Sequence, residues 1–224
     1  MRQAYFISGT DTGVGKTFIS CALLHLANSE GKTTLGLKPI AAGCEDSGRG
    51  WQNEDALALM QNSSVKLPYQ QVNPVALKMA IAPHIAAANE GKRLSVSQIE
   101  GYCRGALLSK ADFTVVEGAG GWRVPLNQGQ TMADLAKALT LPVILVVGMR
   151  LGCLNHALLT TEAIARDGLK IAGWVACTIE RDMTELDANI GTLRALLPFR
   201  FLGHVPYLDK VSAARAAEYI QLPE

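Results

Sequence analysis

Neither sign of charge dominates this sequence. Its 21 Lys and Arg residues face 20 Asp and Glu, giving a formal net charge of +1. With no dense basic run either, an electrostatic nucleic-acid footprint is excluded. Long apolar stretches are also missing. The longest, Leu141 to Met149, is far short of the about 20 residues that a membrane-spanning helix requires. The N-terminal residues run from Phe6-Ile7-Ser8 straight into Gly-Thr-Asp-Thr, so no secretory signal is expected here. The five cysteines (Cys21, Cys44, Cys103, Cys153, Cys177) are scattered and odd in number, with no C-x-x-C pair. Reduced thiols and a cytoplasmic location are the expectation. Internal repeats, low-complexity tracts and Pro/Ser-rich linkers are lacking, which predicts one domain over residues 1–224.

What is present suits an ordered core: 49% of residues are hydrophobic and 18% charged. Short apolar runs alternate with amphipathic stretches, the pattern of repeated βα units. Strands are predicted at 4–8, 34–38, 113–117, 143–147, 171–177 and 201–205. Helices are predicted from about Lys16 to a stop at Gly31, and near 55–61, 96–108, 132–139, 155–166 and 185–196. Runs such as Val143-Ile144-Leu145-Val146-Val147 are apolar at every position. Strands covered on both faces read that way, so the fold class is α/β, with a mainly parallel sheet and helices on both faces. The polar segment 42–52 is read as a mobile loop over a site. Trp51, Trp122 and Trp174 are read as packing or loop aromatics.

Gly9-Thr10-Asp11-Thr12-Gly13-Val14-Gly15-Lys16-Thr17 follows the first strand and opens the first helix. Such a loop curls backbone N–H groups around phosphate oxygens at a helix N-terminus. Lys16 is placed to reach the terminal phosphates and the Thr17 hydroxyl to bind Mg²⁺. The spacing from Gly9 to Gly15 is one residue longer than in the usual loop, so this is a variant. The fold predicted is therefore that of a phosphate-loop NTPase.

In an open parallel sheet, ligands bind beyond the carboxyl ends of the strands. Lys38, Glu117 and Cys177 all fall there. Glu117, followed by Gly118-Ala119-Gly120-Gly121, is a candidate Mg²⁺ ligand beside a backbone that a ligand can approach closely. Asp55 is a second candidate, with an N-terminal cap as its ordinary alternative.

Taken together, the phosphate loop resembles the opening signature of dethiobiotin synthetases, extra residue included. So do Lys38-Pro39-Ile40-Ala41-Ala42-Gly43, Asp55-Ala56, Ala82-Pro83-His84 and Glu117-Gly118-Ala119-Gly120-Gly121. Leu151-Gly152-Cys153-Leu154-Asn155-His156, Gly173-Trp174-Val175 and Gly203-His204-Val205-Pro206 extend the resemblance along nearly the whole chain. It implies a ligase that joins diaminopelargonate and CO₂ at the expense of ATP, giving dethiobiotin, ADP and phosphate through an N-carbamate and a carbamic–phosphoric anhydride. It implies Lys38 and Lys16 as catalytic groups and Thr17, Asp55 and Glu117 around Mg²⁺. It implies nucleotide contacts at Gly13, Val14, Gly15, Phe18, Gly118, Ala119, Gly120, Cys177, Thr178, Pro206, Tyr207 and Leu208. Thr12, Ala42 and Gly118 would face the diamine. Gly152 and Asn155 would reach its carboxylate from a second subunit of a homodimer.

Two positions depart from the family pattern. Ala42 stands where a hydroxyl residue is usual, and Cys177 stands where an Asn reads adenine. A thiol cannot supply the donor–acceptor pair of an amide. A partitioning or cell-division ATPase of the same superfamily is the first alternative. Thr10, Asp11 and Thr12 occupy the place of its additional lysine, and the C-terminal segment is no basic amphipathic anchor. A regulatory GTPase is opposed by the lack of any Asn-Lys pair. A diverged synthetase with another diamine or reduced activity remains the third alternative.

Overall fold

A computed structural model describes residues 2–210 and 212–224. The chain begins with β1 (Gln3–Gly9), α1 (Lys16–Ser29) and β2 (Thr34–Leu37). Four short strands follow, interleaved with three helices: β3 (Ile40–Ala42), β4 (Glu45–Asp46), β5 (Trp51–Gln52), α2 (Glu54–Asn62), α3 (Tyr69–Val72), β6 (Val75–Leu77) and α4 (Pro83–Asn89). The remainder alternates regularly: α5 (Val96–Leu107), β7 (Phe113–Gly121), α6 (Met132–Leu139), β8 (Val143–Met149), α7 (Cys153–Arg166), β9 (Ile171–Thr178), α8 (Leu186–Leu196), β10 (Phe201–Val205) and α9 (Ala213–Ala217).

Six strands form one sheet in the order β10-β9-β8-β1-β7-β2, and all its pairings are parallel. Alternate residues of each strand serve opposite faces. Phe6, Val116, Leu145 and Val147 join one core, which α5, α6, α7 and α8 close through Ile99, Leu135, Ala157 and Leu193. Tyr5, Ile7, Val115, Ile144 and Val146 join the other, closed by Ile19 and Leu23 of α1 and Ala216 of α9. Burying a Val, Leu or Ile side chain contributes about 1.5–3 kcal/mol. Ile7, Ile144, Leu145, Val146 and Val147 are fully buried, and two helical layers are needed to cover them.

Several expectations need correction. The segment 42–52 is not one irregular loop, because β4 and β5 pair within it as an antiparallel hairpin. Its polar residues satisfy the turn: the Asp46 carboxylate accepts from the Gly48 N–H, and the Ser47 hydroxyl donates to the Gly50 carbonyl. β3 and β6 form a further parallel pair that alternation did not reveal. Lys38 lies one residue beyond β2 rather than ending it, and β7 continues past Glu117 to Gly121. The tryptophans behave as expected. Trp174 packs on Phe201, Trp122 meets Phe6 edge-on, and Trp51 lies under the Lys78 ammonium. No helix among the described residues is long and apolar enough to cross a membrane.

Candidate active site

The turn from β1 into α1 depends on backbone conformations that side chains resist. Gly13 and Gly15 have φ of 72° and 90°, in the left-handed region that glycine adopts without penalty. A Cβ on Gly15 would also stand 2.6 Å from the Cys177 sulfur. The loop is thus seated directly on the end of β9. Val14, 1% exposed, anchors it in the core and offers a ligand only its backbone.

Lys16 extends back along the loop and donates to the Asp11 carbonyl at 2.8 Å. Burial, and then the neighbouring Lys38 charge, depress its ammonium to a pKa of about 8, although Glu117, Asp55 and Asp11 pull the other way. Asp11 is itself held by Arg150, from the loop after β8.

Four groups converge beside this loop. Glu117, fully buried in β7, accepts at one carboxylate oxygen from the Thr17 hydroxyl at 2.7 Å and from Lys38 Nζ at 2.6 Å. Lys38 also donates to the Gly118 carbonyl at 3.2 Å and forms an ion pair with Asp55 at 3.2 Å. Burial acts against the Lys38 charge, but the Glu117 and Asp55 carboxylates outweigh it and raise its pKa. Lys38 therefore stays protonated at any physiological pH. Asp55 does not cap α2: Asn53 does, its side-chain oxygen accepting from the Asp55 and Ala56 N–H groups. Asp55 is thereby free to point into the site.

The second Glu117 oxygen, Oε2, is buried and has no hydrogen-bond partner. An orphaned carboxylate oxygen costs free energy unless a ligand meets it. Together with the Thr17 hydroxyl and the Asp55 carboxylate, Glu117 supplies a set of hard oxygen donors around Lys38. That donor chemistry fits Mg²⁺, which is usually held by one or two carboxylates plus phosphate.

These groups open onto a cavity of about 1250 Å³. Of the residues singled out in the sequence, Thr12, Gly13, Gly15, Lys16, Thr17, Phe18, Lys38, Ala42, Asp55, Glu117, Ala119 and Gly120 line it. The remaining candidate contacts do not line it. Gly118 faces Phe6 beneath the site. Cys177 is 3% exposed, and burial pushes its thiol up to about 12, so it is a neutral group packed under the loop. Thr178 pairs with His204 at 2.8 Å, and the Tyr207 ring carries the Arg181 guanidinium, both outside the cavity lining together with Pro206 and Leu208. Gly152 and Asn155 are exposed at the start of α7 and also lie off the lining.

The sequence reading missed Asn53 and Arg150. The Asn-Glu-Asp run before an apolar stretch was a legible cap signal for the first. The Arg150–Asp11 pair spans 139 residues and leaves no local trace.

A family model described as an AAA domain matches residues 3–215. The chain is 54% identical to the ATP-dependent dethiobiotin synthetase BioD of Cellvibrio japonicus, over 99% of this chain and 96% of that protein. It is 50% identical to BioD of Pseudomonas aeruginosa, over 98% and 96%. Among solved structures, the signal recognition particle receptor FtsY of Elizabethkingia anophelis in complex with GDP superposes with a TM-score of 0.59 at 13% identity, over 97% of this chain and 63% of that one. The septum site-determining protein MinD of Pyrococcus horikoshii, complexed with Mg-ADP, gives 0.50 at 16% identity, over 92% and 82%. The two structural likenesses establish a phosphate-loop NTPase fold and nothing narrower, whereas the identities to the BioD proteins run essentially end to end. On those identities and its phosphate loop, the chain belongs to the dethiobiotin synthetase family.

Proposed function

We propose that this protein is an ATP-dependent dethiobiotin synthetase that closes a cyclic urea on diaminopelargonate with CO₂, releasing ADP and phosphate. The observation that carries this reading is the convergence of Lys38, Glu117, Thr17 and Asp55 beside the phosphate loop.

One amine of the substrate first combines with CO₂ to give a carbamate. A carbamate oxygen then attacks the γ-phosphorus and displaces ADP. The second amine attacks the carbonyl carbon of the resulting carbamic–phosphoric anhydride, closing the ring and expelling phosphate. The first meeting is the difficult one, because two unit charges about 4 Å apart repel by about 4 kcal/mol near a protein surface. Lys16 would neutralise the phosphates, and Lys38, held charged by its carboxylate partners, would hold the carbamate. Thr17, Asp55 and Glu117 would hold Mg²⁺. When bound, that ion supplies further charge neutralisation to the transferring phosphate. The substrate itself provides the nucleophile, so no Ser-His-Asp or Cys-His arrangement is required.

The enzyme is read as a homodimer. Gly152 and Asn155 lie away from their own cavity, and Leu151 beside them is 97% exposed. Both facts support a start of α7 that completes a second subunit's site at the substrate carboxylate. Because β1, β7, β8 and β9 contribute to both cores, residues 1–224 are read as one domain. Five free, buried cysteines support the cytoplasm as its location.

Formation of dethiobiotin from diaminopelargonate, dependent on ATP, Mg²⁺ and bicarbonate, is the test. No product under those conditions would overturn the reading. Cys177 adds a narrower expectation. Each neutral hydrogen bond to the base that a thiol fails to make forfeits about 0.5–1.5 kcal/mol. The preference for ATP over CTP or GTP should therefore be weaker, by about 2- to 13-fold per bond lost, than in a protein with Asn at this position. Competition assays with the three nucleotides check this, and a strong ATP preference would count against it.

A further inference from the structure

Lys38 is gripped through its backbone by a strap formed by residues 69–75. The Lys38 N–H donates to the Val72 carbonyl at 3.0 Å, and the Lys38 carbonyl accepts from the Asn73 side-chain amide at 2.6 Å. The next carbonyl, of Pro39, accepts from the Val75 N–H at 3.1 Å. Asn73 is 2% exposed, so these bonds are shielded from water.

At the head of the strap, the Tyr69 hydroxyl joins it to a second segment. It donates to the Asn73 side-chain oxygen and accepts from the Asn53 N–H, both at 2.8 Å. Asn53 caps α2, which carries Asp55. The Asn53 amide also donates to the carbonyl of Ala42 at 3.4 Å. One phenol thus links the residue that anchors Lys38 to the residue that starts the helix of Asp55. Burial raises the Tyr69 pKa, keeping the hydroxyl neutral and able to donate.

We propose that the Tyr69 hydroxyl is a positioning group that fixes the separation of Lys38 and Asp55. It touches neither substrate nor nucleotide. The proposal rests on the roles assigned above to Lys38 and Asp55, and it extends them by naming what holds the two in register. Without the hydroxyl, the Asn53 N–H and the Asn73 oxygen both lose their partner, and the two segments are free to separate.

Tyr69→Phe in the full chain is the test, with three readouts. Efficiency toward the diamine should fall about 10-fold, the scale of a small misplacement of a charged group. The dissociation constant for ATP should stay within about 2-fold, because Tyr69, Asn73 and Asn53 make no bond to the phosphate loop. In a crystal structure of the variant, the Lys38–Asp55 separation should open from 3.2 Å beyond the about 4 Å limit of an ion pair. A variant that only melts earlier, with parent-like kinetics and an intact pair, overturns the proposal. Equal losses for ATP and diamine overturn it too. If Tyr69→Phe does not fold, Asn73→Ser carries the same three expectations. Failure of both to fold would make the network a folding element and sink the assignment. A parent enzyme that makes no dethiobiotin, with the pair nevertheless opened in the variant, would defeat the functional reading and leave the positioning role standing.

Discussion

Glu117→Gln is expected to lower turnover on the order of 10²- to 10³-fold, the cost of deleting a charge-stabilising group from a preorganised site. The substitution keeps shape and removes charge. Its amide oxygen can still accept from the Thr17 hydroxyl and Lys38, both of which meet Oε1. The nitrogen would then replace Oε2, which has no partner in the protein. A donor at that point repels a cation where a carboxylate oxygen attracts one. The Mg²⁺ concentration needed for half-maximal rate should therefore rise along with the fall in turnover. Stability should drop as well. Lys38 is nearly inaccessible and would retain as a charged partner only Asp55, whose side chain is 37% exposed. Breaking a buried pair from one side typically costs about 3–5 kcal/mol, and Asp55 keeps this case near the lower end. Denaturant unfolding at neutral pH, beside a Mg²⁺ titration of the rate, checks both halves. Parent-like turnover with an unchanged Mg²⁺ requirement would remove Glu117 from the chemistry.

That such a carboxylate could be picked from sequence follows from the regularity of the sheet. Strands such as β8 are apolar at every residue because Leu145 and Val146 point into different cores, both covered by helices. Continuous apolarity therefore marks a strand, and the polar residue after it marks the ligand edge. The bounds of α6 agree to the residue, since Thr131 and Asp134 form a reciprocal capping box. The phosphate loop is local as well, lying between one strand and one helix. Other features were illegible for equally physical reasons. Strands of two or three residues, such as β4, β5, β3 and β6, are too short to show a period. Tyr69 and Asn73 are ordinary polar residues until the fold brings them together. The burial of Cys177 depends on the path of the Gly15 backbone, so the family pattern could name that position without revealing how deep it lies.

Lys16 should make nucleotide binding depend on pH, and replacing it should abolish that dependence. With a pKa near 8 in the free protein, against 10.5 for an unperturbed lysine, this ammonium is held against its preference. The direction is opposite to that of a lysine that gains a partner on folding. The unfolded chain binds the proton more tightly, so the group costs stability below about pH 8. The cost fades as pH rises toward 10.5, and a shift of that size corresponds to about 3 kcal/mol. The difference in unfolding free energy between the parent and Lys16→Gln should therefore move in favour of the parent across that alkaline window. Phosphate reverses the situation by giving the ammonium the anion it lacks. Above about pH 8 the site must take up a proton to bind ATP, so the dissociation constant should climb by up to about 10-fold per pH unit. Phosphate's own second ionisation, near pH 6, is complete by then and cannot account for the trend. Calorimetry in buffers of different ionisation enthalpy would register the proton uptake directly. Lys16→Gln should bind more weakly, show no such slope, and turn over on the order of 10²- to 10³-fold more slowly. A parent enzyme whose affinity for ATP stays flat from neutral pH through the alkaline window would mean that Lys16 meets no phosphate, and the direction of approach assigned to the nucleotide would be wrong.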